Sequence, residues 1–248
     1  MATLDDIVVV LLHPFPVDGT FWAPMWRELD LPVQVVTPDF PGFGSNTYVP
    51  DHVSIVDVAD DIVGLIAESG RRAVVCGLSL GGYTALSLVA RHPDVVAGLL
   101  LANTRSEADI DEARRNRDQA IDTIRIDGFD VWRNAFVPKL LRPHPAPHTL
   151  DFAWTLAAGQ RPEAVISALL ALRDRPDRTA DLSAIAVPTV VVAGAEDQVA
   201  PRAAMDALAS GIPGAQMRVI SDAGHLTALE QPETFAEVLR ELVERISA

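Results

Sequence analysis

A serine, an aspartate and a histidine, far apart in this chain, together supply the parts of a nucleophilic acyl-transfer site. Ser79 stands in Gly77-Leu78-Ser79-Leu80-Gly81, Asp197 in Ala195-Glu196-Asp197-Gln198, and His225 directly after Gly224. A serine hydroxyl is a poor nucleophile at neutral pH, so it needs a base to take its proton and a carboxylate to orient that base. Taken singly, each residue reads as a turn former, a cap or a solvated loop residue. They are joined by where they fall: each closely follows the end of a β-branched apolar run, and they come in the order serine, acid, histidine. Glu196 is the rival for the acid, one residue away. Asn103, after the run 96–102, occupies a place an alternative acid could have used, but it is neutral.

The glycines around Ser79 fit a strand-to-helix corner in which only small neighbours let the chain pass close to itself. Such a corner leaves the Leu80 N–H at the start of a helix, unpaired and partly positive, where it can receive an oxyanion. A second donor is expected from the loop after the first apolar run. Pro14 and Pro16 have no N–H, which points to Phe15. His13 in the same loop reads as a loop-fixing residue rather than a base.

These residues must be positioned by a scaffold, and the hydrophobic pattern names it. Short β-branched runs at 7–12, 33–38, 73–78, 96–102, 188–194 and 215–220 alternate with amphipathic stretches, predicting a doubly wound parallel sheet of about six strands. Residues 54–69 place Ile55, Val58, Ala59, Ile62, Leu65 and Ile66 on one helical face, and 234–246 do the same with Phe235, Val238, Leu239, Leu242 and Ile246. In such a sheet the ends of the strands share one edge, where ligands bind. From about Thr104 to Ala180 the alternation stops, and an arginine-rich helical segment takes over. It reads either as a lid over that edge or as a second packing layer with its own aromatic core. Trp22, Trp132, Phe136 and Trp154 are candidates for the pocket lining, which is expected to be mostly apolar and so to favour a neutral or hydrophobic acyl group. Arg105, Arg114, Arg115 and Arg117 could bind a substrate carboxylate, but with Glu107, Asp109, Asp111 and Glu112 nearby they read as a solvated helix face.

The formal charge of −14 would repel a phosphate backbone or an anionic membrane, so neither nucleic acid nor membrane is an expected partner. Cys76 is the only cysteine, which excludes an intrachain disulfide and a multi-cysteine zinc site. That cysteine usage, with an acidic start and no cleavage signal in MATLDDIVVVLLHPFP, leads to the expectation of a cytoplasmic protein.

With HPFP (13–16), DFPGFGSN (39–46), GLSLGG (77–82), AGAEDQVAP (193–201) and DAGHLTALEQPE (222–233) on the page, the chain resembles the α/β-hydrolase superfamily over essentially its whole length. Within it, the chain is similar to small bacterial esterases and to 3-oxoadipate enol-lactonase-like proteins. The resemblance implies Ser79 as nucleophile, Asp197 as acid, His225 as base and the Phe15 and Leu80 N–H groups as the oxyanion hole. It implies a core of residues 1–104 and 181–248 with a cap at 105–180, and hydrolysis of a small ester or lactone without metal or organic cofactor. Haloperoxidase or perhydrolase, carbon–carbon hydrolase, thioesterase and acyl-transfer activities share the same triad, and some members bind ligands without catalysis. Two departures are visible. His13 is followed by Pro14 where the family has glycine, and only Met1 to Asp6 precede the first run, so the usual N-terminal hairpin is expected to be absent. The sheet edge this would leave is a place for homodimerisation.

Overall fold

The computed structural model describes residues 3–50 and 53–247. After a 3-10 turn at Leu4–Asp6, β1 (Ile7–Leu12) leads through α1 (Ala23–Leu29) to β2 (Gln34–Val36). Then come α2 (Ile55–Ser69), β3 (Arg72–Leu78), α3 (Leu80–Arg91) and β4 (Val96–Ala102). Four helices follow before the next strand: α4 (Asp111–Ile126), α5 (Phe129–Phe136), α6 (Pro147–Ala158) and α7 (Pro162–Arg173). β5 (Thr189–Gly194), α8 (Arg202–Gly211), β6 (Gln216–Ile220), α9 (Thr227–Glu230) and α10 (Pro232–Ser247) complete the order.

The six strands form one sheet in the order β2-β1-β3-β4-β5-β6, every neighbouring pair parallel. Because strand side chains alternate, the sheet divides its residues between two cores. Val8, Val10, Leu12, Val75, Leu99, Leu101 and Val191 face α2, α3 and α8. Ile7, Val9, Leu11, Val74, Cys76, Leu100 and Val192 face α1 and α10. Helix α10 buries Phe235, Val238, Leu239 and Leu242, each contributing about 1.5–3 kcal/mol relative to exposure. Helix α2 starts on a capping box. In it Ser54 Oγ accepts from Asp57 N at 3.1 Å and the Asp57 carboxylate accepts from Ser54 N at 3.2 Å. The helix ends at Gly70 in the left-handed region (φ 66°), a conformation that favours glycine there.

Two expectations need correction. Leu65 does not join the buried face of α2 but is exposed, because the helix is flanked by solvent just beyond Ile62 and Ile66. β2 spans three residues rather than six, since Pro38 offers no N–H to the ladder. Among the described residues no strand precedes β1, so β2 and β6 are the sheet edges. Among them also, no helix is long and apolar enough to cross a membrane.

The strand order fixes where a site can form. From β1 the chain crosses one way to β2 and returns to lie on the other side as β3, so the topology reverses between β1 and β3. Helices then leave the sheet on opposite faces, and a crevice opens beyond the carboxyl ends of these two strands. The loop carrying Phe15 follows β1, and Ser79 follows β3.

Candidate active site

Ser79 occupies the corner between β3 and α3 with φ 53° and ψ −110°, a conformation that L residues rarely adopt. It is held from three sides. Its N–H donates to Ala102 O at 2.9 Å, its carbonyl accepts from Tyr83 N at 3.1 Å, and the Thr104 hydroxyl donates to the same carbonyl at 3.0 Å. The strain is thus imposed by β4 and the first turn of α3 rather than chosen locally.

The neighbouring glycines explain how the chain can pass so close. A Cβ at Gly81 would overlap the backbone carbonyl of Leu12, at the end of β1. Backbone cannot swing aside as a side chain can. Gly81→Ala is therefore expected to cost about 2 kcal/mol and to lower the thermal midpoint by roughly 4–8 °C, measured by circular dichroism. An unchanged midpoint would show that the corner is looser than this contact requires.

Asp197 follows β5 and His225 follows β6. Gly194 lets these segments touch, because any Cβ there would overlap the carbonyls of Ala223 and Gly224. His225 Nδ1 lies 2.9 Å from Asp197 Oδ2, and both side chains are only 3% exposed. With a carboxylate as its neighbour, Nδ1 carries the proton and Nε2 keeps its lone pair for use as a base.

The carboxylate is fully engaged. Oδ1 accepts from Val199 N at 2.7 Å and Ala200 N at 3.0 Å, while Oδ2 accepts from Asn103 Nδ2 at 2.8 Å besides the imidazole. Burial alone would raise the Asp197 pKa. The charge and hydrogen bond of His225, with the bonds from Asn103 and Ala200, outweigh it and hold the group below the ordinary carboxylate value. Glu196, the rival, points elsewhere, with its carboxylate 3.8 Å from the Arg142 guanidinium.

Two supporting residues carry no role in the sequence reading. Asn103, itself at φ 47°, links three elements: it donates to Asp197 and to Gly224 O, and its Oδ1 accepts from the Thr227 hydroxyl at 2.7 Å. Glu230 Oε1 accepts from Gly224 N at 2.8 Å and Oε2 from Arg142 N at 2.9 Å. Leu140 O accepts from His225 N at 3.0 Å and Leu226 N at 3.1 Å. The histidine loop is thereby tied to the segment between α5 and α6. A polar residue just after a strand is the sequence signal for Asn103, but its neutrality gives no hint of a donor role.

Leu80 directly follows Ser79 in the chain. Leu80 is the first residue of α3, and Phe15 lines the same cavity as Ser79 and His225. His13 is fully buried in its loop, with Nδ1 3.0 Å from Pro14 O and Nε2 accepting from Phe40 N at 3.1 Å. These contacts define a neutral ring. Burial lowers its pKa despite the Pro14 bond and the nearby Asp39 and Asp18 charges. Cys76 faces the α1/α10 core, and burial pushes its thiol pKa up, away from thiolate chemistry.

The cavity has a volume of about 510 Å3. Phe15, Trp132 and Phe136 form one wall, with Trp132 and Phe136 stacked at 4.9 Å and Phe15 5.7 Å from Trp132. Helices α4 and α7 add to the lining through residues such as Asn116, Ala120 and Leu169. Two of the four expected aromatics are elsewhere. Trp22 is turned into the α1/α10 core, fully buried against Phe21 and Phe235. Trp154 packs on the same side of the sheet, with the Arg133 guanidinium 5.4 Å over its ring. The lining is also less apolar than expected, since Arg105, Asp109, Arg117, Lys139 and Arg175 contribute to it. Arg114 and Arg115 are exposed on α4, as a solvated face would have them, but Arg105 and Arg117 are not. Among the described residues no three or more His, Cys, Asp or Glu side chains are grouped to hold a metal ion.

This fold, with a serine on a strained strand-to-helix corner, defines a class of hydrolytic enzyme. A profile of the Alpha/beta hydrolase family matches residues 9–238, and the chain belongs to that family. It is 30% identical to a pimeloyl-[acyl-carrier protein] methyl ester esterase of Aromatoleum aromaticum, over 95% of this chain and 97% of the relative. A malate-bound thermophilic esterase from Thermogutta terrifontis superposes with a TM-score of 0.92 and 34% identity, over 98% of this chain and 91% of that one. The enol-lactonase from Burkholderia xenovorans LB400 superposes with a TM-score of 0.85 and 26% identity, over 96% and 91%.

Proposed function

We propose that the protein hydrolyses a carboxylic ester or lactone, with Ser79 as nucleophile, His225 as general base and acid, and Asp197 as the group that orients the imidazole. The observation that carries this reading is the buried 2.9 Å contact from His225 Nδ1 to Asp197, with His225 and Ser79 on the wall of one cavity. Membership of the alpha/beta hydrolase family and likeness to esterases and an enol-lactonase support the reaction class.

In this reading His225 Nε2 takes the proton of Ser79 as Oγ bonds to the substrate carbonyl carbon. The carbonyl oxygen becomes an oxyanion facing the Leu80 and Phe15 N–H groups. Collapse breaks the bond to the leaving oxygen, which takes the proton from His225. A water then adds to the acyl-serine with His225 again as base, releasing the acid and restoring the hydroxyl. The Asp197 charge stabilises the imidazolium formed in each half. Residues 105–180 act as the cap, a role supported by the lining that Arg105, Asn116, Trp132 and Leu169 share with Ser79 and His225. A small-molecule substrate suits a cavity of this size.

Acid quenching during turnover of 4-nitrophenyl butyrate, followed by peptide mass mapping, tests the covalent step. A butyryl group on Ser79 is the expected result. Turnover with no acyl adduct on that peptide, and undiminished in Ser79→Ala, would contradict the assignment.

A further inference from the structure

The charges lining the cavity are uneven. Arg105, Arg117, Lys139 and Arg175 face it against a single carboxylate, Asp109, in a chain whose formal net charge is −14. Asp109 is already used. It is 3.2 Å from Arg117 and paired with the buried Arg175. Arg175 also donates to Glu107 O at 3.1 Å and Leu172 O at 3.0 Å, and its guanidinium lies 4.4 Å over the Tyr83 ring. These three side chains make a closed, satisfied cluster in the wall.

Arg105 and Lys139 are different. Among the described residues, neither has a carboxylate within ion-pair distance, Glu107 included. Arg105 is half-buried, its Nη2 donates to Val199 O at 3.2 Å, and its Nε is shielded from water without an acceptor. A donor shielded from water without an acceptor is unfavourable, more so when the group carries charge. Both residues also stand next to the machinery. Arg105 follows Thr104, whose hydroxyl holds the Ser79 carbonyl, and Lys139 precedes Leu140, whose carbonyl holds the His225 loop. A guanidinium fork matches a carboxylate, and an ammonium at the more exposed rim adds a second charge without demanding geometry.

We infer that this site takes substrates bearing a free carboxylate besides the ester or lactone to be cleaved, and that Arg105, assisted by Lys139, binds that carboxylate. The inference rests on the Ser79 reading above. The aromatic wall of Phe15, Trp132 and Phe136 then holds the short apolar chain between the two groups.

Two matched pairs of esters test it by pH-stat. Monomethyl glutarate against methyl pentanoate places the charge on the acyl side; 4-acetoxybutanoate against butyl acetate places it on the alcohol side. In at least one pair the wild type is expected to favour the charged ester at least tenfold in kcat/KM, mostly through KM. The preference shrinks as salt is added. Arg105→Gln is expected to reduce the ratio of charged to neutral kcat/KM by tenfold or more, Arg105→Lys to restore part of it, and Lys139→Gln to reduce it by about threefold. Glutarate is expected to inhibit the wild type competitively against methyl pentanoate, a readout that depends on no variant folding. No discrimination in either pair and no inhibition by glutarate would overturn the inference while leaving Ser79-dependent turnover of the neutral esters in place. Turnover that survives Ser79→Ala, or is absent for all four esters, would overturn the underlying reading and this inference with it.

Discussion

Asp197→Asn is expected to lower kcat/KM for a short ester by about ten-thousandfold. The native carboxylate accepts four hydrogen bonds, from Val199 N, Ala200 N, Asn103 Nδ2 and His225 Nδ1. An amide at this position has one accepting oxygen and one donating nitrogen. If its oxygen keeps the two backbone N–H groups, its NH2 faces His225 and stabilises the tautomer with the proton on Nε2, which cannot take the Ser79 proton. If it flips, two backbone donors lose their acceptor. Either way the imidazolium loses its counter-charge, and a buried donor is left facing another donor, at a stability cost of about 1–3 kcal/mol. The activity loss should therefore far exceed the loss of stability, a split that steady-state kinetics and thermal melts on one preparation would measure. Equal, small changes in both would mean that Asp197 merely braces the loop. The native pKa of Asp197 lies below its ordinary value, so its contribution to stability is complete at neutral pH and is lost only as pH falls through that depressed value.

Ser79→Ala is expected to lower kcat by about a million-fold, leaving whatever the cavity and oxyanion donors achieve alone. Ser79→Gly should be equally inactive and yet more stable. Ser79 sits at φ 53° and ψ −110° because its N–H and carbonyl are tied to Ala102, Tyr83 and Thr104. Glycine alone tolerates that backbone readily. Relief of roughly 1–2 kcal/mol would appear as a raised thermal midpoint. A serine retained at a cost to stability is the mark of a residue kept for chemistry. If Ser79→Gly melts below wild type, the corner is not strained in the manner its dihedrals suggest.

Much of this arrangement could be read before any coordinates. The β-branched runs located the strands, and because parallel strands end on one edge, residues following the runs at 73–78, 188–194 and 215–220 had to converge. The glycines at 77 and 81 were legible for the same reason: the corner brings their backbone against Gly81 O and Leu12 O respectively. Side-chain direction was not legible. Trp22 lies close in sequence to Phe15, yet the 3-10 turn Gly19–Trp22 swings it into the α1/α10 core. Leu65 carries the period of a buried helix face but falls at its margin. The arginines of 105–117 illustrate the limit most clearly. Their alternation with acids describes Arg114 and Arg115 well, while Asp109 draws Arg117 and Arg175 into a cluster that spans distant parts of the chain, and among the described residues no carboxylate lies within ion-pair distance of Arg105. Pairing between distant segments is set by tertiary packing and leaves no local period. Asn103 escaped for a related reason: its value lies in donating to an acid that only the fold brings to it.

In the proposed mechanism Ser79 is the nucleophile and His225 activates it. Labelling with a fluorophosphonate, followed by intact-mass and peptide mapping, tests it most directly. One adduct per chain is expected, located on Ser79, absent in Ser79→Ala and formed far more slowly in His225→Ala. Equal labelling of wild type and Ser79→Ala, or an adduct mapped to another residue, would contradict it.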